Sequence, residues 1–426
     1  MHRLSNSKKS PIMQSPKLIC LLVITMLVSS CPTGVSAQTG TTAPENGPRT
    51  YRSANFVVHS DVKPEEANEL LKRLETMLGL ISTYWGQRNR KTIECYVVDD
   101  LKNWPRGAIP PDAMDSILGQ AGITIAQGLT NGRQFDMNAK VYAVSDAGVP
   151  QHEAVHAYCA QTFGTTGPVW YSEGMAEMGM YWKKGDSSVN ANPIAIDYLK
   201  KSEPKSLNEI VNGQETTGDS WQNYAWRWAL CHLLANNTNY QKRFRPLGLA
   251  LLQKKGTSFE QVYGSMADEI IFEYLLFLEN MQTGYRVDLC SWNWKARPRI
   301  LKGVRPSKVD VEAKAGWQPT KAQLAKGEEY EFTTDGTWTI LENGDSINAD
   351  GNELGAGKLV GILFDDYKLS EEFEIGAYGK FTAPANGHLF VRCKDEWGII
   401  ADNDGEIEFQ IRDADPDTKP LPMPGE

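Results

Sequence analysis

The hydrophobic pattern of the sequence changes between residues 296 and 308, and this change divides the chain into two parts. From residue 150 to about residue 282, apolar residues recur at the spacing of amphipathic helices. Beyond residue 308, short strand-like segments alternate with Gly and Asp, which is typical of a β-sandwich. The basic, Pro-containing segment 296–308 between them is predicted to be a hinge.

The same periodicities predict the individual elements. Helices are expected at residues 150–163, 169–182, 220–236, 242–254 and 266–281, and sandwich strands at 328–334, 336–341, 358–364, 387–393 and 406–411. Upstream, strand patterns at 51–61, 92–98, 122–128 and 139–145 accompany a helix at 64–86. We therefore expect an α+β protein, with a small sheet and a helical lobe over residues 51–298 and an all-β sandwich over residues 301–414. Residues 415–426, rich in Pro and Asp, are predicted to be a disordered tail.

The N-terminus has the features of an export signal. A Lys-rich start precedes the apolar segment 18–28, which is too short to span a bilayer. Cleavage after Ala37 is the favoured processing site, which makes residues 1–37 a signal peptide and 38–50 a linker. The alternative is a lipobox ending at Cys31, which would tether the protein through a lipid. Either way a secreted, periplasmic or cell-surface location is expected, because no later segment is long and apolar enough to cross a membrane.

Charge and cysteine usage narrow the classes of function. The net charge of −9 disfavours a nucleic-acid partner, which would require a basic face. No CxxC pair occurs among the cysteines that follow Ala37, so a sulfur-ligated metal site is not expected. Their odd number and wide spacing do not dictate any disulfide.

The strongest chemical motif is an HExxH sequence within the predicted helix at 150–163. Helical spacing places His152 and His156 on one face, one turn apart, where both imidazoles can bind the same ion. Glu153 lies beside them, where a carboxylate can accept a proton from metal-activated water. The alternative for such a motif is an ordinary solvated helix face.

A second segment adds a third ligand to this pair. Sixteen residues separate His156 from Glu173, which is enough for a turn and a returning helix. That helix can bring Glu173 to the same metal ion, leaving a fourth position for water.

The two segments together resemble the gluzincin zinc metallopeptidases, in which HExxH is followed by a downstream Glu on a Trp/Tyr-rich helix. The resemblance implies that His152, His156 and Glu173 bind zinc and that Glu153 is the general base. It also implies that Glu177 hydrogen-bonds His152 and fixes the tautomer and orientation of its imidazole. The alternative for Glu177 is a carboxylate on a helix surface.

Two further residues are candidates for stabilising the oxyanion of a tetrahedral intermediate. Tyr224, at the start of the predicted helix 220–236, matches the position of a catalytic Tyr in aminopeptidase-like members, although its aromatic pattern equally suits core packing. His232 could serve instead, although a packed histidine is the more usual interpretation. The acidic exopeptidase motif of aminopeptidases is absent, since residues 122–128 contain no carboxylate. An endopeptidase acting on proteins or peptides is therefore favoured over an aminopeptidase.

The predicted sandwich resembles the PA-I-type galactose-binding lectins, through the segments 315–340 and 393–411. In that family a calcium ion near the C-terminus coordinates sugar hydroxyls. The resemblance implies calcium ligands at Asp395, the Ile399 carbonyl, Asp402 and Asn403, with the Leu341 carbonyl as a fifth. Hard oxygens of these kinds suit Ca²⁺, whereas the alternative is a plain Asp/Asn/Gly turn.

These features together predict an exported zinc-dependent peptidase with a calcium-binding and glycan-binding C-terminal domain. One alternative is a carbohydrate-binding or adhesion protein whose peptidase-like domain is catalytically silent. Another is a lipid-anchored surface protein with a structural role.

Overall fold

A computed structural model describes residues 23–25, 47–131, 134–146, 148–213, 220–302 and 305–424. The described chain is a mixed α and β protein with several sheets and helices. It divides into two compact units, Met1–Met180 with Gln214–Tyr224, and Tyr181–Gly213 with Ala225–Glu426. This division differs from the predicted boundary at residues 298–301, because the segments that follow Met180 and Tyr224 are grouped with the sandwich.

The first unit is built on a sheet with the strand order β1-β5-β6-β4-β3-β2. Its elements are β1 (Val23–Thr25), β2 (Arg49–Arg52), β3 (Phe56–Ser60), α1 (Pro64–Trp85), β4 (Ile93–Val98), α2 (Pro111–Leu118), β5 (Gly122–Asn131), β6 (Gln134–Val144), α3 (Val149–Phe163) and α4 (Val169–Tyr181, whose last residue belongs to the second unit). β3, β4 and β6 are parallel, whereas β5 runs antiparallel to β6. β1 lies within the segment predicted as the apolar core of a signal peptide, and it pairs with β5.

Local sequence signals explain α1, the helix that connects the parallel strands β3 and β4. Pro64 begins α1 with a fixed φ suited to a first turn, and Glu65 and Glu66 complement the positive end of the helix dipole. The helix ends at Gly86, whose φ of 68° is the left-handed conformation that glycine adopts without steric cost. Eight buried residues on one face of α1, from Ala67 to Trp85, pack towards the core.

The second unit combines a helical part with a sandwich. Its helices are α5 (Pro193–Lys201), α6 (Leu207–Asn212), α7 (Trp221–Asn236, whose first turn belongs to the first unit), α8 (Gln241–Leu252), α9 (Phe259–Tyr263) and α10 (Ala267–Asn280). Its strands are β7 (Arg299–Ile300), β8 (Ser307–Glu312), β9 (Gln318–Leu324), β10 (Glu329–Thr339), β11 (Leu359–Asp365), β12 (Lys368–Leu369), β13 (Phe373–Glu374), β14 (Tyr378–Thr382), β15 (Gly387–Cys393) and β16 (Asp404–Asp413).

The sandwich strands form two sheets with a shared core. One sheet has the order β14-β10-β16-β8, and the other has β12-β11-β15-β9-β7 with β13 paired to β11. Trp338, Leu389 and Phe409 belong to the core between them. The opposite face of the second sheet is also covered, because Val360, Ile362 and Phe390 cluster with Phe272 of α10 and with Trp292.

Two local expectations differ from the structure. The strand expected at residues 51–61 is the hairpin β2–β3, and the two strands expected at 328–341 are the single strand β10. β10 continues through Gly336, where only glycine fits. Its φ is 105°, and a Cβ there would lie 2.7 Å from the Glu406 carbonyl oxygen.

The C-terminal segment 415–424 is placed against the sandwich, which contradicts its prediction as a disordered tail. The Leu421 amide donates to Glu331 Oε1 at 2.9 Å, and the Thr333 hydroxyl donates to the Pro422 carbonyl at 2.8 Å. Leu421 is buried. Composition alone did not indicate these partners, because they lie on a strand some 90 residues earlier.

None of the helices in the described part of the chain combines the length and apolar character needed to cross a bilayer. The cysteines in that part, Cys95, Cys159, Cys231, Cys290 and Cys393, are all free. The predicted signal-peptide processing sites at Cys31 and Ala37 lie outside the described residues.

Candidate metal centre

α3 carries both histidines of the HExxH motif, and it is buried on all sides rather than facing solvent. Pro150 lies in its first turn, and Gly164 ends it with a φ of 73°. Its residues from Val149 to Ala160 are all buried. The rings of His152 and His156 therefore lie inside the protein, with their centroids 4.9 Å apart and their planes at 72° to each other.

α4 returns alongside α3 and brings Glu173 to the two imidazoles. This approach depends on Gly179 of α4, because a Cβ at that position would lie only 2.4 Å from Val155 Cγ2 of α3. Glu173 is fully buried. A carboxylate placed there needs charged or hydrogen-bonding partners, since burial of an unpaired charge is strongly unfavourable.

Three donor atoms converge at this point. His152 Nε2 lies 3.2 Å from Glu173 Oε2 and 3.2 Å from His156 Nε2, and His156 Nε2 lies 3.4 Å from Glu173 Oε2. A tetrahedral zinc site with bonds of about 2.0–2.1 Å has edges of about 3.3 Å between its ligand atoms. The triangle formed by these three atoms therefore has the size of one face of such a tetrahedron.

The remaining ring nitrogens have neighbours that can orient the imidazoles. His156 Nδ1 lies 3.2 Å from the Ser172 hydroxyl oxygen. His152 Nδ1 lies 3.0 Å from Glu177 Oε1, although the carboxylate is displaced from the direction of the ring N–H. Glu177 is buried, so it is not the surface carboxylate of the alternative interpretation. Both contacts leave the Nε2 atoms to face the common point.

The electrostatics of the cluster favour a positive charge. Burial lowers the pKa of His152, but the neighbouring carboxylates of Glu173 and Glu177 outweigh it and hold that pKa well above the usual value. Burial raises the pKa of Glu173, but the charge of His156 and the hydrogen bonds from both histidines lower it to about 2. Glu173 Oε1 is buried without a hydrogen-bond partner. A cation at this point would offset the buried negative charge of Glu173.

Glu153 projects from α3 towards β5 and is almost fully buried. Its Oε2 accepts a hydrogen bond of 2.8 Å from the Thr124 hydroxyl. Gly122 gives its side chain room, because a Cβ there would lie 2.6 Å from Glu153 Cγ. The strand and the helix thus hold this carboxylate in one place.

The two candidates for oxyanion stabilisation differ in position. Tyr224, in the first turn of α7, is 1 % exposed, and its ring centroid lies 5.8 Å from that of His152. His232 belongs to the second unit, where it stacks on Phe277 with centroids 5.9 Å apart. Burial lowers its pKa to about 4. Tyr224 therefore lies beside the histidine cluster within the first unit, whereas His232 belongs to the second unit.

Four of the predicted calcium ligands, Asp395, Ile399, Asp402 and Asn403, lie between β15 and β16, whereas Leu341 follows β10. Asp395 Oδ2 and Asn403 Oδ1 are buried without hydrogen-bond partners. Burial and, to a smaller extent, the charge of Asp402 raise the pKa of Asp395. The carbonyls of Ile399 and Leu341 each accept a turn hydrogen bond, from Asp402 N at 3.1 Å and from Gly344 N at 2.9 Å.

Sequence reasoning missed three residues that shape the centre, namely Gly122, Thr124 and Ser172. Ser172 precedes Glu173 in the chain, and this position on the same predicted helix is a signal that could have suggested its contact with α3. Gly122 and Thr124 lie about 30 residues from Glu153, and only the packing of β5 on α3 reveals their roles.

Comparison with known proteins gives little further information. No protein-family model matches the chain, and no curated protein matches it. Solved structures do match, and one of them is described as "EclA N-terminal domain; PllA-like lectin". It is 19% identical and covers 25% of this chain and 95% of its own, with a TM-score of 0.21. A score of this size supports no inference about fold or function.

Proposed function

We propose that this protein is an exported zinc-dependent peptidase of the gluzincin type that favours internal peptide bonds. The observation that carries the proposal is the buried triangle formed by His152 Nε2, His156 Nε2 and Glu173 Oε2, with sides of 3.2–3.4 Å. Two imidazoles and one carboxylate are the ligand set of several catalytic zinc sites.

The residues present fit zinc in two respects. Their donor atoms have the spacing of one face of a tetrahedral site, and Glu173 Oε1 is a buried acceptor without a hydrogen-bond partner. When bound, zinc supplies Lewis acidity that activates water and polarises a carbonyl group. Ser172 and Glu177 hold the two rings so that the Nε2 lone pairs face inward.

Glu153 is the proposed general base. Its Oε2 is held by the Thr124 hydroxyl at 2.8 Å, and burial of the side chain keeps bulk water away from it. In this role it accepts a proton from the attacking water and delivers it to the leaving amine. The hydrogen bond from Thr124 restricts the carboxylate to one orientation, which favours a single direction of proton transfer.

Tyr224 is the proposed donor to the oxyanion. It lies in the first turn of α7 with its ring centroid 5.8 Å from that of His152, so its ring borders the cluster. A phenol hydroxyl is a group that can stabilise an oxyanion. The β5 strand carries no carboxylate from Gly122 to Gly128 that could bind the amino terminus of a substrate, and this supports endopeptidase action.

The test is metal analysis coupled to cleavage of a proteome-derived peptide library. Wild type is expected to contain about one zinc per chain and to cleave the library. Glu153→Gln should retain zinc and lose cleavage, whereas His156→Ala should lose both. His59→Ala, a half-buried histidine in β3, is the matched control and should behave as wild type. Absence of zinc at micromolar metal, or full cleavage by Glu153→Gln, would refute the proposal; zinc without any cleavage would favour the catalytically silent alternative.

We propose in addition that Asp395, Asp402, Asn403 and the Ile399 carbonyl bind calcium and that this ion takes sugar hydroxyls as further ligands. The unpartnered oxygens of Asp395 and Asn403 support the proposal, because calcium requires several hard oxygen ligands. Calcium should raise the melting temperature of the full chain, and Asn403→Ala should abolish this increase. A His156→Ala background removes any contribution of the zinc site. An unchanged melting temperature in calcium would count against the site.

A further inference from the structure

A pocket of about 300 Å³ lies in the second unit, on the outer face of the sheet that contains β11, β15 and β9. Its size is at the lower end of the range of small-molecule sites, roughly 300–1,000 Å³. Three neighbouring strands line it, because β9 contributes Gln323, β15 contributes His388 and Phe390, and β11 contributes Phe364 and Asp365. Gln323 pairs with His388, and His388 pairs with Phe364. The pocket therefore rests on a rigid part of the sandwich.

Aromatic rings form one wall of the pocket. Trp294 and Phe364 are half-buried with their centroids 6.0 Å apart, and Phe364 lies 5.1 Å from the buried Trp292. Trp294 is fixed by its indole N–H, which donates to Glu273 Oε1 at 2.7 Å. A fixed, half-exposed ring offers an apolar face to a ligand at little cost in entropy.

Polar groups of several kinds surround these rings. His388 is 5 % exposed, lines the pocket, and has an Nε2 atom with no hydrogen-bond partner. Burial lowers its pKa to about 4, so the imidazole is neutral at neutral pH. Gln323 contributes an amide, and Asp365 and Asp366 contribute carboxylates at the edge.

The charges of the lining argue against an ionic ligand. An anion would meet Asp365 and Asp366, whereas a cation would meet Arg297, whose guanidinium is held at the pocket by the Trp294 and Ala296 carbonyls at 3.0 Å. A neutral molecule with one apolar face and several hydroxyls matches the rings, the amide and the neutral imidazole together.

We propose that this pocket binds a neutral saccharide unit without a metal ion, with its apolar face on Trp294 and Phe364 and its hydroxyls on Gln323, His388 and Asp365. The pocket lies at the opposite end of β15 from Asp395, so it is separate from the candidate calcium site. It also does not depend on the zinc centre. The domain would thus have a second place for a glycan, and both places could hold one branched or extended substrate.

The experiment uses the full mature chain in EDTA with a panel of neutral methyl pyranosides: glucoside, galactoside, mannoside and N-acetylglucosaminide. Saturation-transfer NMR detects binding, and titration of tryptophan fluorescence gives the Kd. Tetramethylammonium and N-acetyl-lysine amide form the cation arm. At least one pyranoside is expected to bind in EDTA and to bind more tightly than either cation.

Two variants and a control locate the binding. Gln323→Ala and His388→Phe should each raise the Kd about tenfold, which corresponds to one lost hydrogen bond. Gln410→Ala, a half-buried glutamine on the other sheet, should leave the Kd within about twofold. His388→Phe retains the ring, so a folded variant is expected even if Gln323→Ala is less stable.

Four results would overturn the inference. They are an absence of pyranoside binding, pyranoside binding that EDTA abolishes, tighter binding of a cation than of any pyranoside, and pocket variants whose Kd equals that of wild type. Failure here leaves the zinc proposal intact, because peptide cleavage by wild type and by Glu153→Gln is measured separately.

Discussion

Substitution of Gly122 tests whether the position of Glu153 controls activity. An added Cβ would lie 2.6 Å from Glu153 Cγ and 2.8 Å from Val149 Cγ1. Favourable carbon–carbon contacts lie at about 3.5–4.0 Å, so Gly122→Ala creates an overlap of about 1 Å on each side. β5 is paired to β6 and cannot move away freely, so the Glu153 side chain must yield.

The magnitudes follow from this overlap. Overpacking of a well-packed interior typically costs about 1–3 kcal/mol of stability. A displacement of a catalytic group by about 1 Å can lower the rate about 10²-fold. Because Glu173 and the two histidines lie on the side of α3 that faces α4, zinc content should not change. The expected result is a folded, zinc-containing variant with kcat/KM reduced about 100-fold.

The assay compares kcat/KM on a library-derived peptide, zinc content and the melting temperature. Gly79→Ala is the matched control, because a Cβ on that exposed glycine of α1 meets nothing within 4 Å. It should retain activity and gain up to about 1 kcal/mol of stability from the better helix propensity of Ala. The reasoning would be refuted if Gly122→Ala kept wild-type kcat/KM, or if it lost zinc while Gly79→Ala kept it.

Three further results are expected. Thr124→Val should keep zinc but lower kcat/KM about tenfold in the peptide assay, since the 2.8 Å hydrogen bond to Glu153 is lost. A tenfold rise in KM with an unchanged kcat would contradict a positioning role. Acidification should destabilise the protein through His232, whose pKa is lowered from 6.5 to about 4 by burial. As the pH falls, the unfolded chain binds the proton before the folded protein does. The contribution of His232 to the free energy of unfolding is therefore fully present above pH 6.5 and falls by about 3 kcal/mol as the pH drops to 4. Denaturant unfolding of metal-free protein should show this loss reduced in His232→Phe, and an identical pH dependence would disprove it. Glu273→Ala should lower stability by more than about 3 kcal/mol in the same assay, because it removes the acceptor of the buried Tyr240 hydroxyl and of the half-buried Trp294 indole N–H. A loss below about 1 kcal/mol would show that water replaces the carboxylate.

The parts of the centre that could be predicted from the sequence are those determined by local geometry. Helical spacing alone places His152 and His156 one turn apart, and the short connection to the next helix limits where Glu173 can lie. Proline in the first turn and glycine after the last residue define α3 correctly to within one residue. These signals depend on residues at most a few turns apart.

The residues that hold Glu153 could not be predicted in this way. Thr124 contacts it across 29 positions, and Gly122 matters only because β5 passes directly against α3. The residue types carry no specific signal, since Gly and Thr are common in strands and turns for many reasons. Their roles depend on the register of β5 on β6, in which Gly122 pairs with Ala143. A shift of one residue would turn Thr124 away from the helix.

In the sandwich, by contrast, the sequence does contain a signal for long-range packing. The signal indicates that the second sheet packs against residues outside the predicted domain 301–414. Strands with one solvated face alternate between buried and exposed residues, but Leu359–Leu363 of β11 and all of β15 are buried without alternation. Such runs require cover on both faces of the sheet. The core of the sandwich covers one face, and Phe272 of α10 with Trp292 covers the other. A fragment limited to residues 301–414 would therefore expose Val360, Ile362 and Phe390 to water, so calcium and saccharide binding have to be measured on the full chain.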